Sequence, residues 1–261
     1  MQVTVLAQNV AGGALGTNRR GGGLAFTRIN VNLCNPDFVI LMETRIADSK
    51  AYLDNVFRGF KCLQHSSSGD RSKGVMIFSQ KKHDIDTTSV YNDEQGHFTA
   101  AVYTIGTTRT IVAGVYGPSG SSDHQSSLVF TNVYEKIKEM TQLYATNHII
   151  IGGDFNVHLD NPQKKPKATK IIFNIIEEFG LFDPGAIKKE KTWSRPGGRA
   201  KSRLDYILFS IPQATHTYTT KWSALDHAQL TLKIKKENIT FNPPLLKDWI
   251  LTQTEFLEGA R

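Results

Sequence analysis

An uninterrupted apolar run, Ile149 to Ile151, is the feature that most restricts how this chain can fold. A strand of β-branched residues with no polar position has no face that can be left in water, so both of its faces must be covered. The sequence Gly-Gly-Asp-Phe-Asn follows directly at positions 152–156. The pattern therefore predicts a buried strand that ends in two small residues and a pair of polar side chains.

Comparable patterns recur along most of the chain. Strands are predicted over residues 3–10, 37–42, 74–78, 98–103, 110–116, 149–151, 192–194, 202–208, 217–221 and 228–234. Helical periodicity indicates helices over residues 26–33, 50–57, 126–143 and 168–179, with a glycine-rich loop over 12–23 and a basic loop over 164–167. Strands and helices alternate in both halves, with hairpins between them. This order predicts an α/β (α+β) fold in which packed sheets are flanked by helices.

Length and composition set broad limits. A chain of 261 residues can form one large domain or two small ones, and 39% hydrophobic against 21% charged residues predicts a packed core. The net charge of +7 favours a polyanionic partner, either nucleic acid or an anionic membrane. Two cysteines without metal-ligand spacing fit a reducing compartment, and we expect neither a signal peptide nor a membrane span.

Polar residues follow the apolar strands at widely separated positions. They are Asn9, Glu43, Tyr116, Asp154 with Asn156, Asp205, and Asp226 with His227. Side chains at strand ends on one edge of a layered fold can converge on a single site, and strand alternation would place Asp154 and Asn156 on one face. Taken singly, each has a simpler explanation: an Asx turn at Asp154, a solvated carboxylate, or a structural histidine.

Six motifs in this order carry a family resemblance. They are Gln8-Asn9-Val10, Met42-Glu43-Thr44, Val115-Tyr116-Gly117-Pro118, Gly152-Gly153-Asp154-Phe155-Asn156, Arg203-Leu204-Asp205-Tyr206 and Asp226-His227. Over residues 2–234 the chain resembles the exonuclease–endonuclease–phosphatase superfamily. Within it, the chain is most similar to the apurinic-type endonuclease domain of a non-LTR (LINE-like) retrotransposon. The resemblance implies a four-layer, DNase I-like α/β-sandwich of two packed mixed sheets flanked by helices over residues 1–236, with residues 237–261 as an extension or the start of a linker.

The resemblance also implies a catalytic site. Asp154 would orient or deprotonate the attacking water, while Asn156, Tyr116 and protonated His227 would donate hydrogen bonds to the phosphate. Asp205 would hold His227 and raise its pKa. Glu43 would bind Mg²⁺, with Mn²⁺ as a substitute, because hard oxygen ligands suit these ions. Asn9 would hold this metal site through a hydrogen bond or a metal-bound water, and Asp226 would be either a second metal contact or an orienting group. The ion would polarise the phosphate and neutralise the leaving oxygen.

The implied substrate is double-stranded DNA, nicked in the nucleus to leave a 3′-hydroxyl that primes a reverse transcriptase encoded downstream in the same polyprotein. The residues expected to contact DNA are Arg195, Arg199, Lys201 and Arg203 in a basic hairpin, together with Thr192 and Ser119. The hairpin could equally be a solvated basic loop. For the lysine-rich run over 164–170 we expect a solvated loop or a general phosphate contact.

Other functions remain open at the level of sequence. An abasic-site repair endonuclease, a lipid or inositol phosphatase and a sphingomyelinase could share this scaffold. A nucleic-acid-binding module without catalytic activity is the alternative from another class, although the complete set of acids with His227 argues against it.

Overall fold

A computed structural model describes residues 2–11, 22–46, 57–68, 73–195, 201–211, 214–222 and 225–236. Most of the predicted glycine-rich loop, the predicted helix over 50–57 except its last residue, and the 237–261 extension lie outside these ranges. None of the helices described below combines the length and the apolar character that crossing a bilayer requires.

The described chain contains fourteen strands and four α-helices. The strands are β1 (Gln2–Asn9), β2 (Phe38–Met42), β3 (Phe60–Ser66), β4 (Val75–Gln80), β5 (Asp84–Ile85), β6 (Tyr91–Asn92), β7 (Phe98–Ile105), β8 (Thr108–Tyr116), β9 (Ile149–Asp154), β10 (Trp193–Ser194), β11 (Lys201–Ser202), β12 (Asp205–Ser210), β13 (Ala214–Lys221) and β14 (Gln229–Lys236). The helices are α1 (Gly22–Cys34), α2 (Asp123–Leu143), α3 (Pro166–Glu178) and α4 (Gly185–Lys188). Short 3₁₀ turns occupy Thr87–Ser89 and Pro162–Lys164.

Twelve of the strands form two mixed sheets. The first has the order β13-β14-β1-β2-β4-β3, and the second has the order β12-β9-β8-β7-β5, with β6 also paired to β7. Only the β1–β2 pair is parallel in the first sheet and only the β8–β9 pair in the second, within the described strands. The remaining two strands, β10 and β11, form a separate hairpin.

The fold has four layers, because helices cover the outer face of each of the two sheets. An apolar cluster fills each of the three spaces between these layers. Ile40 and Ile150 belong to the cluster that the facing surfaces of the two sheets share. The outer face of the second sheet packs on α2 and α3, where Phe130 and Ile172 are fully buried. The outer face of the first sheet packs on α1 through Val31. This arrangement confirms the predicted class of two packed mixed sheets flanked by helices.

The two glycines after the Ile149 strand are explained by close packing. A Cβ atom on Gly152 would lie 2.7 Å from Ile40 Cδ1 of the opposite sheet. A Cβ atom on Gly153 would lie 1.9 Å from the carbonyl oxygen of Val115 on the neighbouring strand. Larger residues would therefore push the strands apart immediately before Asp154.

The main differences between the predicted and the observed elements are the following. Strands β3, β5 and β6 were not predicted, nor was α4. Helix α2 begins at Asp123 rather than 126 because Ser122 and Gln125 form a capping box there. The predicted strand over 202–208 is split into β11 and β12. The predicted basic loop over 164–167 is wrong, because a 3₁₀ turn ends at Lys164 and α3 begins at Pro166.

Candidate active site

The site begins where β1 and β2 end side by side. These parallel strands pair Asn9 with Met42, so Glu43 follows directly beside Asn9. The Asn9 side chain is buried and donates from Nδ2 to Asp154 Oδ2 of the other sheet at 2.9 Å, while its Oδ1 accepts from the Ala11 amide. Asn9 therefore joins the two sheets at this edge.

The second sheet contributes three residues in register. Tyr116 on β8 pairs with Asp154 on β9, and Asp154 pairs with Asp205 on β12. Ends of adjacent strands thus place two buried carboxylates and a phenol next to each other, as the strand-end pattern of the sequence predicts.

Asp154 is held by several donors. Oδ2 accepts from Asn9 and, at 3.3 Å, from Asn156 Nδ2, and Oδ1 accepts from the Asn156 amide at 3.0 Å. Burial raises the pKa of Asp154 to about 7, although the nearby positive charge of His227 acts in the opposite direction. A carboxyl group with this pKa is poised to exchange a proton near neutral pH.

Asn156 contacts Asp154 through a turn, and not through the strand alternation of side chains that the sequence predicted. The strand ends at Asp154, and Asn156 adopts a left-handed conformation with φ of 50°, closing the Asx turn that was the simpler interpretation of this segment. Its Nδ2 also donates to the Gly117 carbonyl at 2.9 Å. Both N–H bonds of the amide are used within the protein, so donation to a phosphate would require one of them to be released.

His227 lies between the two carboxylates. Its Nδ1 is 2.9 Å from Asp205 Oδ2, and its Nε2 is 3.6 Å from Asp154 Oδ2. Burial by itself would lower the pKa of His227, but the charges of Asp205 and Asp154 outweigh burial and raise it to about 10. The imidazole is therefore a cation at neutral pH, with Asp205 fixing the orientation of its ring.

Two backbone contacts hold the His227 segment in place. Trp193 of β10 and His227 form an isolated antiparallel bridge. Gln8 is buried, and its Nε2 donates to the carbonyls of Asn9 and His227 at 2.8 and 3.3 Å. Gln8 is part of a motif quoted above, yet sequence reasoning assigned it no role.

Thr192 does not belong among the DNA contacts. Its side chain is fully buried, and Oγ1 accepts hydrogen bonds from the Leu204 and Asp205 amides, both at 2.9 Å. Thr192 therefore fixes the start of β12, and with it Asp205, from inside the protein.

The prediction that Arg203 contacts DNA is also wrong. Its side chain is 3% exposed; Nη2 and Nε bind Asp160, and Nη1 binds Asp183 at 2.7 Å. The guanidinium packs over the Tyr206 ring. A buried arginine with two carboxylate partners is a structural ion pair and cannot reach a DNA groove.

The predicted hairpin exists as β10 and β11, with residues 196–200 outside the described chain, so that Arg199 is not placed. Arg195 and Lys201 are exposed, and Lys201 Nζ lies 5.8 Å from the centroid of the Trp222 ring. Exposed Ser119 is hydrogen bonded to Tyr116. For these residues DNA contact stays a prediction.

Glu43 and Tyr116 extend the site toward solvent. Burial and then the charge of Glu43 raise the pKa of Tyr116, so its hydroxyl is a donor at neutral pH. Asp154 also acts on Tyr116, which places Glu43, Tyr116 and Asp154 in one neighbourhood. Half-buried Glu43 forms an ion pair with Arg45. Buried His97 supports Tyr116 by contacting its carbonyl oxygen at 2.5 Å.

Two groups of side chains are candidates to hold a metal. Ligand atoms of Asp154, Asp205 and His227 lie within 4.8 Å of one another, a cluster that could hold an ion. However, Nδ1 of His227 is engaged by Asp205, and a protonated imidazole is a poor ligand. The Glu43 carboxylate and the side-chain oxygen of Asn9 are hard ligands. They lie on adjacent strand ends and fit a divalent cation better. Asp226 flanks His227, with its carbonyl accepting from the Ser194 amide.

Comparisons with known proteins agree with this architecture. The model of the Endonuclease/Exonuclease/phosphatase family matches residues 7–227. Truncated TDP2 from Caenorhabditis elegans is similar, with a TM-score of 0.65, 18% identity and coverage of 89% of this chain and 97% of that one. The endonuclease domain of TRAS1, a telomere-specific non-LTR retrotransposon, has a TM-score of 0.63 at 14% identity and coverage of 90% and 99%. The mannosyl-6-phosphatase Bt3783 of Bacteroides thetaiotaomicron VPI-5482 has a TM-score of 0.66, again at 14% identity and with coverage of 89% and 99%. Such low identities show the shared fold alone.

Proposed function

The chain belongs to the endonuclease/exonuclease/phosphatase family, and we propose on this basis that it is a divalent-metal-dependent endonuclease that nicks one strand of duplex DNA. The observation that carries the proposal is the buried unit of Asp154, Asp205 and His227, which Asn9 joins to the other sheet. It offers a proton acceptor and a fixed cation side by side, as hydrolysis of a phosphodiester requires.

Glu43 and Asn9 would hold the metal, and Mg²⁺ is the ion that their oxygen donors suit best. A bound Mg²⁺ supplies positive charge that polarises the phosphate and stabilises the leaving oxygen. The family depends on divalent metal, which supports this assignment without identifying the ion.

The protein's own groups account for the proton transfers and the orientation of the phosphate. In its ionised form Asp154 accepts a proton from water, and the water oxygen bonds to phosphorus. His227 donates from Nε2 to a non-bridging oxygen, and Tyr116 donates from its hydroxyl. The bond between phosphorus and the 3′-oxygen then breaks, its electron pair goes to the 3′-oxygen, and that oxygen takes up a proton from solvent water. The products are a 3′-hydroxyl and a 5′-phosphate.

The finer proposal is that this nick starts retrotransposition. The motif resemblance supports it, because a 3′-hydroxyl at the nick can prime a downstream reverse transcriptase acting in the nucleus. The net charge of +7 and the exposed Arg195 and Lys201, on the hairpin that adjoins His227, support duplex DNA as the substrate.

The test uses supercoiled plasmid with Mg²⁺, with Mn²⁺, and with chelator. We expect conversion to the open-circular form with Mg²⁺, loss of conversion with chelator, and fragments whose ends carry a 3′-hydroxyl and a 5′-phosphate. An abasic duplex cleaved far faster than an intact one would favour a repair endonuclease. Release of phosphate from monoesters without nicking would favour a phosphatase. DNA binding without any cleavage would favour the module that lacks activity.

The hairpin's role is tested separately. We expect replacement of residues 195–201 by a glycine–serine loop to change the positions of nicks on a sequenced duplex, because arginine side chains suit narrow grooves. An unchanged cleavage pattern would show that the hairpin is only a solvated loop.

A further inference from the structure

Lys165 is the one residue of the lysine-rich run 164–170 whose ammonium group the structure shows bound to several oxygens of the protein. Nζ lies 2.9 Å from Ser126 Oγ and 3.1 Å from the Asn156 carbonyl oxygen. It also lies 3.4 Å from the Pro118 carbonyl oxygen and from Ser121 Oγ. An ammonium group has three donors, so these oxygens can satisfy it without solvent or phosphate.

The oxygens around Lys165 are all neutral. In the described part of the chain, no carboxylate lies within ion-pair distance of its Nζ, and Asp123 and Asp154 act on it only at longer range. Burial lowers the pKa of Lys165, because a half-buried ammonium group without a carboxylate partner is less stable than a solvated one. Charge-assisted bonds to carbonyl and hydroxyl oxygens offset this cost only while those oxygens converge.

The oxygens that surround Lys165 Nζ come from the loops that carry the site residues. Pro118 follows Tyr116, Asn156 follows Asp154, and Ser126 lies in the first turn of α2. The same loops are joined a second time, because Asn156 Nδ2 donates to the Gly117 carbonyl and the Gly117 amide donates to the Asp154 carbonyl. Lys165 therefore closes a ring of hydrogen bonds around Asn156.

This ring acts on a residue in an uncommon backbone conformation. Asn156 is in the left-handed region, with φ of 50°, which residues other than glycine adopt infrequently although asparagine tolerates it better than most. In that conformation its amide points at Asp154 Oδ1 while its carbonyl accepts from Lys165. Without the ammonium group, the favoured backbone conformations of Asn156 would turn both groups away.

We propose that Lys165 is a positioning residue of the active site: by binding the Asn156 carbonyl and the 117–121 loop, it holds Asn156 in the conformation that orients Asp154. The assignment of a catalytic task to Asp154 rests on the proposed function. The expectation of a solvated loop is wrong for Lys165, because its ammonium group is bound to oxygens of the protein.

The experiment compares Lys165→Met and Lys165→Arg with Lys188→Met as the matched control. Lys188 also donates to a backbone carbonyl, but this carbonyl belongs to Tyr218 on β13 and not to the 117–121 or 154–156 loop. We expect Lys165→Met to lower kcat by about 10- to 100-fold, since small misplacements are costly, with KM and its salt dependence unchanged. Lys165→Arg should recover part of kcat because it retains the charge and the donors. Lys188→Met should retain kcat.

Three results would overturn the proposal. They are a kcat for Lys165→Met within twofold of the wild type, a raised KM with a shallower salt dependence, or an equal loss in Lys188→Met. If the wild-type protein cleaves nothing, the proposed function fails, but Lys165 can still be tested by hydrogen exchange of the Asn156 amide. Faster exchange in Lys165→Met alone supports positioning, and unchanged exchange contradicts it.

Discussion

Replacing Arg203 by methionine separates a structural ion pair from a DNA contact. Methionine keeps much of the apolar volume over the Tyr206 ring but removes every bond to Asp160 and Asp183. Removing one partner of a buried pair usually costs about 3–5 kcal/mol, because the remaining charge is left unpaired. The two aspartate side chains keep 27% and 14% of their surface exposed, so we expect the lower end of that range, about 3 kcal/mol.

Urea unfolding followed by circular dichroism measures this loss, with exposed Arg109→Met as the control that should change stability little. The loss should shrink in acid. Hydrogen bonds from Arg203 lower the pKa of Asp160, so this contribution is present above the ordinary aspartate pKa and disappears as the pH falls through the lowered value. A loss below 1 kcal/mol at pH 7, or a weaker, less salt-dependent binding of DNA at unchanged stability, would refute the structural role.

Three further predictions concern the site and the core. Asp205→Asn should lower the pKa of His227 by roughly 1–3 units, since an opposite charge at hydrogen-bond distance is removed, and NMR titration of the ring would show it; an unchanged titration would contradict the pairing. The rate of plasmid nicking should rise with pH through about 7, as buried Asp154 ionises, and fall again near about 10, as His227 loses its proton. A rate that is flat from pH 5 to 9 would rule out the role of Asp154, and a rate that stays level through pH 10 would rule out that of His227. Ile150→Ala should destabilise the fold by about 2–5 kcal/mol in urea unfolding because Ile150 is fully buried between the sheets, and a loss under 1 kcal/mol would show that the sheets pack differently.

The buried strands could be predicted because their sequences allow no exposed face. Strands such as β2 and β9 consist of residues that burial alone explains, and their ends then locate Glu43, Asp154 and the other strand-end residues. Strand β3 has no such pattern. It contains Gln64, which is fully buried because its Oε1 accepts from Tyr103 of the opposite sheet and its Nε2 reaches the Val112 carbonyl. A polar residue whose partners come from distant strands cannot be recognised as a core residue from sequence.

The same limit explains the errors in the site. Arg203, Thr192 and Lys165 are polar residues in basic or loop-like segments, where solvent exposure is the ordinary expectation. Each is instead satisfied by groups far away in sequence: Asp160 and Asp183, the Leu204 and Asp205 amides, and the Pro118 and Ser126 oxygens. These three residues, which the sequence assigned to contacts with substrate or solvent, therefore support the site from inside the protein.

A double-mutant cycle on Asp154 and His227 tests most directly whether side chains from separate strands act as one phosphodiesterase site. Nicking rates would be measured at pH 8 with Mg²⁺ for Asp154→Ala, His227→Ala and the variant carrying both changes. Groups that act as a unit are strongly non-additive, so each single variant should lose nearly as much activity as the double variant. Losses that simply multiply, or single variants that nick DNA at the wild-type rate, would contradict the account.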